Sequence, residues 1–251
     1  MTRYRDPLYN VVHKFGRNDD FSTTEDIWGA GGTIVWQTVE QTATVTITGA
    51  NAAKDDGNPV GTGARTLTIQ GLDDSWAEVE ETITLEGATP VITTQKFRRI
   101  FRAWVATAGS DLNNQGLITI TFTVSGDDAV VIQVGEGQTQ YGAYTIPAGK
   151  LGFIASIFMS LDATKPVTFK FWKKDGTATD SSKRLQLFFD AIDTPTPFKP
   201  FTPLGPYPAG TDLWFSGIGG VNSVAMVDFE IWLVDDDGSY YPSPWPTDAT
   251  M

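Results

Sequence analysis

The sequence predicts an all-β protein made of antiparallel sheets, and two observations lead to that expectation. Ala43, Val45 and Ile47 alternate with threonines across Thr42–Thr48, and isoleucine or phenylalanine alternates with threonine across Ile118–Val124. A period of two is typical of a strand that buries one face and exposes the other. The composition agrees, because the 251 residues include 25 glycines and many threonines, while no long helical-period run is present.

A hairpin is predicted in the first half of the chain. The segments Arg65–Gly71 and Glu80–Gly87 are strand-like, and they flank the turn residues Asp73–Ser75. The connection is longer than a tight two-residue turn. About a dozen such short strands, separated by Gly, Pro and Asp, favour an antiparallel β-sandwich of jelly-roll-like type over other architectures.

Four segments describe the expected domain organisation. Residues 1–32 mix charged, glycine and aromatic residues and are predicted to form an extended N-terminal arm. A β-sandwich module is expected over 33–135, and a second, jelly-roll-like module over 136–236, because the glycines at 135 and 137 break the pattern. Residues 237–251 contain three prolines and are predicted to form an extended C-terminal tail. A single interleaved domain is the alternative, since jelly rolls pair strands that are distant in sequence.

Charge and composition argue against several classes of function. The formal net charge of −12 disfavours nucleic acid and anionic membrane surfaces as partners. No cysteine is present, which excludes disulfides, thiol nucleophiles and cysteine metal sites. The start of the sequence lacks the apolar core of a secretory signal, and no apolar run reaches the roughly 18 residues of a membrane span.

Few residues could carry catalysis. His13 is the only histidine, and no serine or aspartate motif accompanies it. Aspartates recur in short runs at predicted turns, where they bond their own backbone. These runs are Asp19-Asp20, Asp55-Asp56, Asp73-Asp74, Asp127-Asp128 and Asp235-Asp236-Asp237. The last resembles a calcium loop but lacks EF-hand spacing. We therefore expect no catalytic residue, metal or cofactor, and a glycosidase that uses paired carboxylates is a distant alternative.

Two strands carry apolar residues on both faces. In Leu151–Leu161, the alternation predicts one face with Leu151, Phe153, Ala155, Ile157, Met159 and Leu161, and an opposite face with Ile154 and Phe158. In Val224–Val234, it places Val227, Phe229, Ile231 and Leu233 opposite Met226, Trp232 and Val234. The candidate interface residues are Ile154, Phe158, Met226 and Trp232. Either a second subunit or the chain's own proline-rich connection, Thr194–Gly210, is expected to cover this second face.

Aromatic residues near both ends are candidate anchors for arms that reach neighbouring molecules. Each residue that becomes ordered on docking costs about 1–2 kcal/mol, so an arm needs apolar anchors. The candidates are Tyr4, Tyr9, Phe15, Tyr240, Tyr241 and Trp245. The eight tryptophans are predicted to pack in the core or at interfaces, and stacking on sugar rings is the alternative.

Specific strings resemble a known group of proteins. Gly61–Ser110, with its GTGART, GLD and TPV elements followed by FRRIFRAW, is similar to a segment of uncharacterised virion structural proteins from marine and cyanobacterial tailed bacteriophages. Tyr144–Ile157 resembles another stretch of the same proteins, and the likeness spans most of residues 25–236. Two features depart from the pattern, namely the bulky Arg98 and Phe101 in one strand and the long proline-rich connection.

The resemblance implies a β-rich component of the virion, assembled in the cytoplasm of the host bacterium. Together with the acidic composition, it favours a capsid decoration or cement protein that stabilises the head through subunit contacts. The expected partners are further copies of the chain, with a homotrimer favoured, and the major capsid protein or other virion proteins. The alternatives are a neck, tail or fibre-base component and a carbohydrate-binding module on the virion surface.

Overall fold

The computed structural model describes residues 9–21, 24–162, 167–178, 182–191, 196–198, 203–219 and 223–238. Within these ranges the chain consists of strands and one short 3-10 turn, Ala52–Lys54. The strands, in chain order, are β1 Tyr9–Phe21, β2 Thr24–Asp26, β3 Ala43–Thr48, β4 Ala64–Leu72, β5 Glu78–Thr84, β6 Val91–Ile92, β7 Arg99–Ala108, β8 Leu117–Phe122, β9 Asp128–Ile132, β10 Ala143–Thr145, β11 Lys150–Asp162, β12 Val167–Asp175, β13 Arg184–Ala191, β14 Thr196–Phe198, β15 Leu204–Tyr207, β16 Thr211–Gly219 and β17 Ser223–Asp235.

These strands form four antiparallel sheets. One has the order β1-β17-β11-β14, with β15 also paired to β11, and we call it the outer sheet. A second has the order β10-β16-β12-β13, with β2 added to β16. The remaining two have the orders β6-β3-β8-β9 and β5-β4-β7. The prediction of an all-β, antiparallel protein is confirmed.

Strand pairing divides the chain into two halves. Residues 43–132 form two of the sheets, and residues 9–26 join residues 143–235 in the other two. The expected irregular arm over residues 1–32 is therefore wrong for Tyr9–Phe21, which is a 13-residue strand antiparallel to β17. Its pattern escaped detection because Lys14 and Asn18 lie on the buried face, so polar and apolar positions do not alternate there.

Aromatic rings connect the outer sheet with the sheet that contains β12 and β16. Phe215 of β16 lies 5.0 Å from Phe229 of β17, measured between ring centroids. Phe171 stacks on Phe215 at 4.8 Å and meets Tyr207 of β15 edge to face at 6.3 Å. All four side chains are buried, so the two sheets share an apolar core.

Local patterns predicted several elements correctly. The hairpin is β4 and β5, which pair in register around a loop that spans residues 73–77. Ala43, Val45 and Ile47 of β3 point into the core, as do Ile118 and Ile120 of β8. No helix among the described residues is long and apolar enough to cross a membrane.

Candidate functional site: an outer sheet face and a buried junction

A bulge in β11 decides which side chains lie on the exposed face of the outer sheet. Ile154 pairs with Ile231, and Ser156 pairs with the next residue, Glu230, so Ala155 is inserted between them. An inserted residue moves all later side chains to the opposite face. The predicted division of Leu151–Leu161 into two faces therefore holds after the bulge and is wrong before it, where Ile154 lies on the core side.

The correction changes the candidate interface. Ile154 is fully buried on the core side with its partner Ile231, so it is not available to a second subunit. Phe158 keeps its predicted place and is 43% exposed, and Met226 is 37% exposed. Trp232 is half-buried, because Tyr9 stacks on it at 4.7 Å.

Apolar side chains lie at both ends of the exposed face and polar ones lie between them. Val11 pairs with Trp232, and Val11 is 55% exposed. In the middle, His13 Nε2 lies 2.7 Å from Asp228 Oδ1. Ser156 on β11 donates a hydrogen bond to Glu230 at 3.1 Å. The two residues of each polar pair are hydrogen-bonded to each other within the sheet. The apolar side chains on either side of them are exposed to solvent.

The proline-rich connection covers part of this sheet. Its strands β14 and β15 pair with the edge of β11, at Ile157–Met159 and at Gly152 with Ile154. Gly205 lies against Phe153, since a Cβ at this position would be 3.0 Å from that ring. The alternative of an intrachain cover thus applies to Phe153, whereas Phe158 is left exposed.

The candidate arm anchors divide into two groups. Tyr9 and Phe15 lie on β1, where they belong to the outer sheet rather than to an arm. Tyr9 contacts Trp232, and Phe15 is half-buried beside His13. The remaining anchors, Tyr4, Tyr240, Tyr241 and Trp245, lie outside the described residues.

A buried ion pair joins the two halves, and no local sequence pattern predicted it. Arg99 of β7 donates from Nε and Nη2 to the two carboxylate oxygens of Asp212 in β16, both at 2.9 Å. Its Nη1 donates to the carbonyl oxygens of Gln37 and Arg98. Thr145 donates a further hydrogen bond to Asp212 at 2.7 Å. Both charged groups are buried and hydrogen-bonded, as a charge removed from water requires.

Trp76, at the end of the β4–β5 hairpin, docks onto the same junction. Its ring lies 4.3 Å from the Arg98 guanidinium and 5.3 Å from that of Arg99. Its carbonyl oxygen accepts a hydrogen bond from Ala148 at 2.7 Å. Trp76 has a φ of 63°, which costs a bulky residue about 1–2 kcal/mol, so the docking contacts must outweigh this strain. Gly210 leaves room for the ring, because a Cβ there would lie about 3.1 Å from it.

The two bulky residues that depart from the phage pattern both belong to this junction. Arg98 packs on Trp76 and donates to the carbonyl oxygen of Gly176 at 3.0 Å. Phe101 packs against Tyr144 of β10, with ring centroids 5.0 Å apart. These large side chains therefore fill the contact between the two halves rather than disturb a sheet.

A cleft lies along the edge of β1. Its volume is about 410 Å³, and Val11–Phe15 form one wall while Gln70, Phe101 and Arg102 lie on the other. Lys14 Nζ donates to the carbonyl oxygen of Phe101. Burial, and then the nearby Arg102 charge, lower the pKa of Lys14 from 10.5 to about 7.

Aspartates from three of the predicted turn runs accept hydrogen bonds from the backbone or form an ion pair. Asp55 is fully buried and accepts hydrogen bonds from the backbone N–H groups of Ala64, Gln115 and Gly116. Asp73 accepts from two N–H groups in the hairpin loop. Asp235 forms an ion pair with Lys150. Across the part of the chain that the structure describes, no three His, Asp or Glu residues are grouped as a metal site would require.

Three tryptophans come together on the sheet that contains β12 and β16. Trp214 lies 5.4 Å from Trp36 and 6.4 Å from Trp172, between ring centroids. Trp172 donates to the hydroxyl of Ser216 at 2.8 Å, and the ammonium group of Lys183 sits 4.6 Å from its ring centroid. The sequence spacing did not predict this group, since its members come from three distant segments.

Comparison with known proteins adds little to this geometry. No protein-family model and no curated protein matches the sequence. Among solved structures, the chain is similar to a chain in the structure of the infectious bursal disease virus Gx strain, with a TM-score of 0.26 and 8% identity. The match covers 93% of this chain and 73% of the other. For the structure of the Gt strain the TM-score is 0.24 and the identity is 10%, and for the VP2 subviral particle of the same virus they are 0.24 and 8%. Each of these two matches covers 96% of this chain and 76% of the other. At these TM-scores the likeness carries no functional conclusion.

Proposed function

We propose that this chain is a non-catalytic structural protein of a tailed-bacteriophage virion, in the role of a capsid decoration or cement protein. The observation that carries the proposal is the exposed face of the outer sheet. There the apolar side chains of Val11, Phe158 and Met226 are exposed to solvent, and the polar side chains between them are hydrogen-bonded to one another. Grouped apolar residues on one sheet face are typical of a protein contact surface. The resemblance of Gly61–Ser110 to phage structural proteins supports the same role.

The proposal includes assembly and location. The chain associates with itself, as a homotrimer, and with the major capsid protein or another virion protein. The two halves act as jelly-roll-like sandwich modules that the Arg99–Asp212 junction holds together, so a force applied to one half is transmitted to the other. The net charge of −12 keeps an abundant component soluble until it docks.

The test compares particles that contain the chain with particles that lack it. A cement role predicts that particles without the chain release their DNA at a lower temperature, and that added wild-type protein restores stability. Phe158→Asp should fail to restore it, since it places a charge on the docking face. Val124→Asp is the control, because Val124 is 84% exposed on a different part of the molecule. Equal stability with and without the chain would contradict the cement role, and density at the neck or tail would favour the neck, tail or fibre-base role.

A second candidate function rests on the tryptophan group. Trp36, Trp172 and Trp214 could stack on sugar rings, as in a carbohydrate-binding module on the virion surface. Burial of Trp214 and the Lys183 ammonium over Trp172 favour a packing role instead. A glycan array separates the two, because binding that Trp172→Ala abolishes would establish the sugar-binding role.

A further inference from the structure

The sheet that contains β12, β13 and β16 has an exposed face on the side away from the shared core. Phe169 and Phe171 of β12 are buried in that core, so Lys170 between them points to the other side. Phe188 of β13 pairs with Lys170 and is 64% exposed. We call this side the basic face, and its exposed or half-buried members include Lys170, Trp172, Lys183, Leu185, Phe188 and Ile218.

The first half of the chain covers one end of this side and leaves the basic face open. Trp36 packs on Trp214 with ring centroids 5.4 Å apart, and Arg99 binds Asp212, so β16 is buried there. The large apolar residues that β13 and β16 contribute to the basic face lie beyond this contact and are exposed to solvent. A soluble chain seldom leaves such a group uncovered, so we expect a second molecule to cover it.

The basic face carries positive charge although the chain as a whole is acidic. The ammonium groups of Lys170 and Lys183 lie 5.8 and 4.6 Å from the ring centroid of Trp172. Asp26 on the neighbouring strand is buried, where it accepts a hydrogen bond from the N–H of Ile34. The charged residues that the structure describes on this side, and that are not buried, are Lys170, Lys174, Lys183 and Asp190. Three lysines and one aspartate leave an excess of two positive charges, whereas the net charge of the chain is −12.

The exposed face of the outer sheet has the opposite sign. Asp228 and Glu230 of β17 lie on it, among the exposed apolar residues described above. Arg17 of β1 is paired with Asp19, so this pair adds no net charge. With His13 counted as neutral, the described residues of this face have an excess of two negative charges. Its charge is therefore complementary to that of the basic face.

The two faces lie on opposite sides of one sandwich, because the sheets that carry them share the core between them. A single copy therefore cannot bring them together, whereas two copies can. We infer that the basic face of one copy docks on the exposed face of the outer sheet of a second copy. Apolar residues then meet apolar residues and lysines meet carboxylates, which selects one partner and one orientation. The inference rests on the self-association in the proposed function and names the two surfaces that meet.

The contact is heterologous, because the two copies contribute different surfaces. Such contacts repeat from copy to copy, and they close into a ring when the rotation between neighbours allows it. A ring of three is the homotrimer of the proposed function. An isologous contact between two outer sheet faces would instead bring Asp228 and Glu230 of one copy against the same carboxylates of the other, which charge repulsion disfavours.

Charge reversal in the full-length chain tests this pairing. The basic-face variant carries Lys170→Glu and Lys183→Glu, and the outer-face variant carries Asp228→Lys and Glu230→Lys. For each variant alone, the dissociation constant for self-association should rise by at least about tenfold, because its two faces then have the same sign. A mixture of the two variants should associate with near wild-type affinity, since every contact between unlike variants pairs opposite charges. Analytical ultracentrifugation measures all of these constants.

A matched control separates this effect from that of net charge. Lys54→Glu combined with Lys96→Glu makes the same change in net charge at exposed residues of the other half, and it should associate like the wild type. Melting curves show whether each variant is folded. Equal weakening by the control, or a mixture of folded variants that does not associate, would overturn the inference. Wild-type association of the basic-face variant would also overturn it and leave self-association in place, whereas a wild-type chain that stays monomeric at high concentration would overturn the assembly proposal itself.

Discussion

The junction and the outer sheet face each contain a hydrogen-bonded pair of polar side chains from residues far apart in sequence, and the two pairs differ in burial. Arg99 and Asp212 are separated by 113 positions, are buried, and make two direct hydrogen bonds to each other. His13 and Asp228 are separated by 215 positions and lie about half exposed in water. A buried pair is costly to break and an exposed pair is not. The stronger polar contact therefore lies between the two halves, and the weaker one lies on the face that we propose as a docking surface.

The largest expected effect contrasts two neighbouring residues of β11. Ile154→Asp places a charge in the core and should lower the free energy of unfolding by at least about 5 kcal/mol, or prevent folding. Phe158→Asp changes a 43% exposed side chain and should lower it by less than about 1 kcal/mol, while it reduces self-association. Chemical denaturation and light scattering measure both. Equal destabilisation by the two variants would place Phe158 in the core and remove it from the docking face.

Breaking the junction should have the next largest effect. Arg99→Met leaves Asp212 buried without its partner and should cost about 3–5 kcal/mol in urea denaturation. The double variant Arg99→Met, Asp212→Leu should recover much of this loss, because no charge is then left buried. On the outer face, His13→Gln removes an exposed pair and should change stability by less than about 1 kcal/mol. A loss of similar size for His13→Gln would contradict the contrast between the two regions.

The burial of Lys14 predicts that the free energy of unfolding depends on pH. The unfolded chain keeps this proton up to about pH 10.5, whereas the folded chain releases it near pH 7. Between these values the unfolded state binds more protons, so the free energy of unfolding rises with pH, by at most about 1.4 kcal/mol per pH unit. Lys14→Met should lack this rise between pH 7 and 10. Parallel pH profiles for the two proteins would show that Lys14 is charged in the folded state.

Sequence patterns predicted what depends on near neighbours. The β4–β5 hairpin and the buried face of β3 follow from alternation over seven or eight residues, which is a local property. The prediction that Ile154 lies on the exposed face was wrong, because the single inserted residue Ala155 reverses which face the alternating side chains occupy. No composition signal marks such a bulge.

The junction and β1 depended on contacts across the whole chain. Nothing near Arg99 indicates that a carboxylate 113 positions away would neutralise it. β1 was assigned to an arm because Lys14 and Asn18 occupy its buried face, where their polar atoms find partners only after folding. Arg98 and Phe101, the bulky residues that departed from the phage pattern, also lie at the junction, although the sequence did not indicate what they would contact.

Hydrogen–deuterium exchange at low and high protein concentration tests the central contrast most directly. The account predicts that amides of Tyr9–Phe15 become more protected as the chain associates, because they belong to the outer sheet, whose exposed face we propose as the docking surface. Amides of Arg99–Ala103, at the buried junction, should be equally protected at both concentrations. Association that leaves Tyr9–Phe15 unprotected, or that changes the protection of Arg99–Ala103 instead, would contradict the assignment of assembly to the outer sheet and of rigidity to the junction.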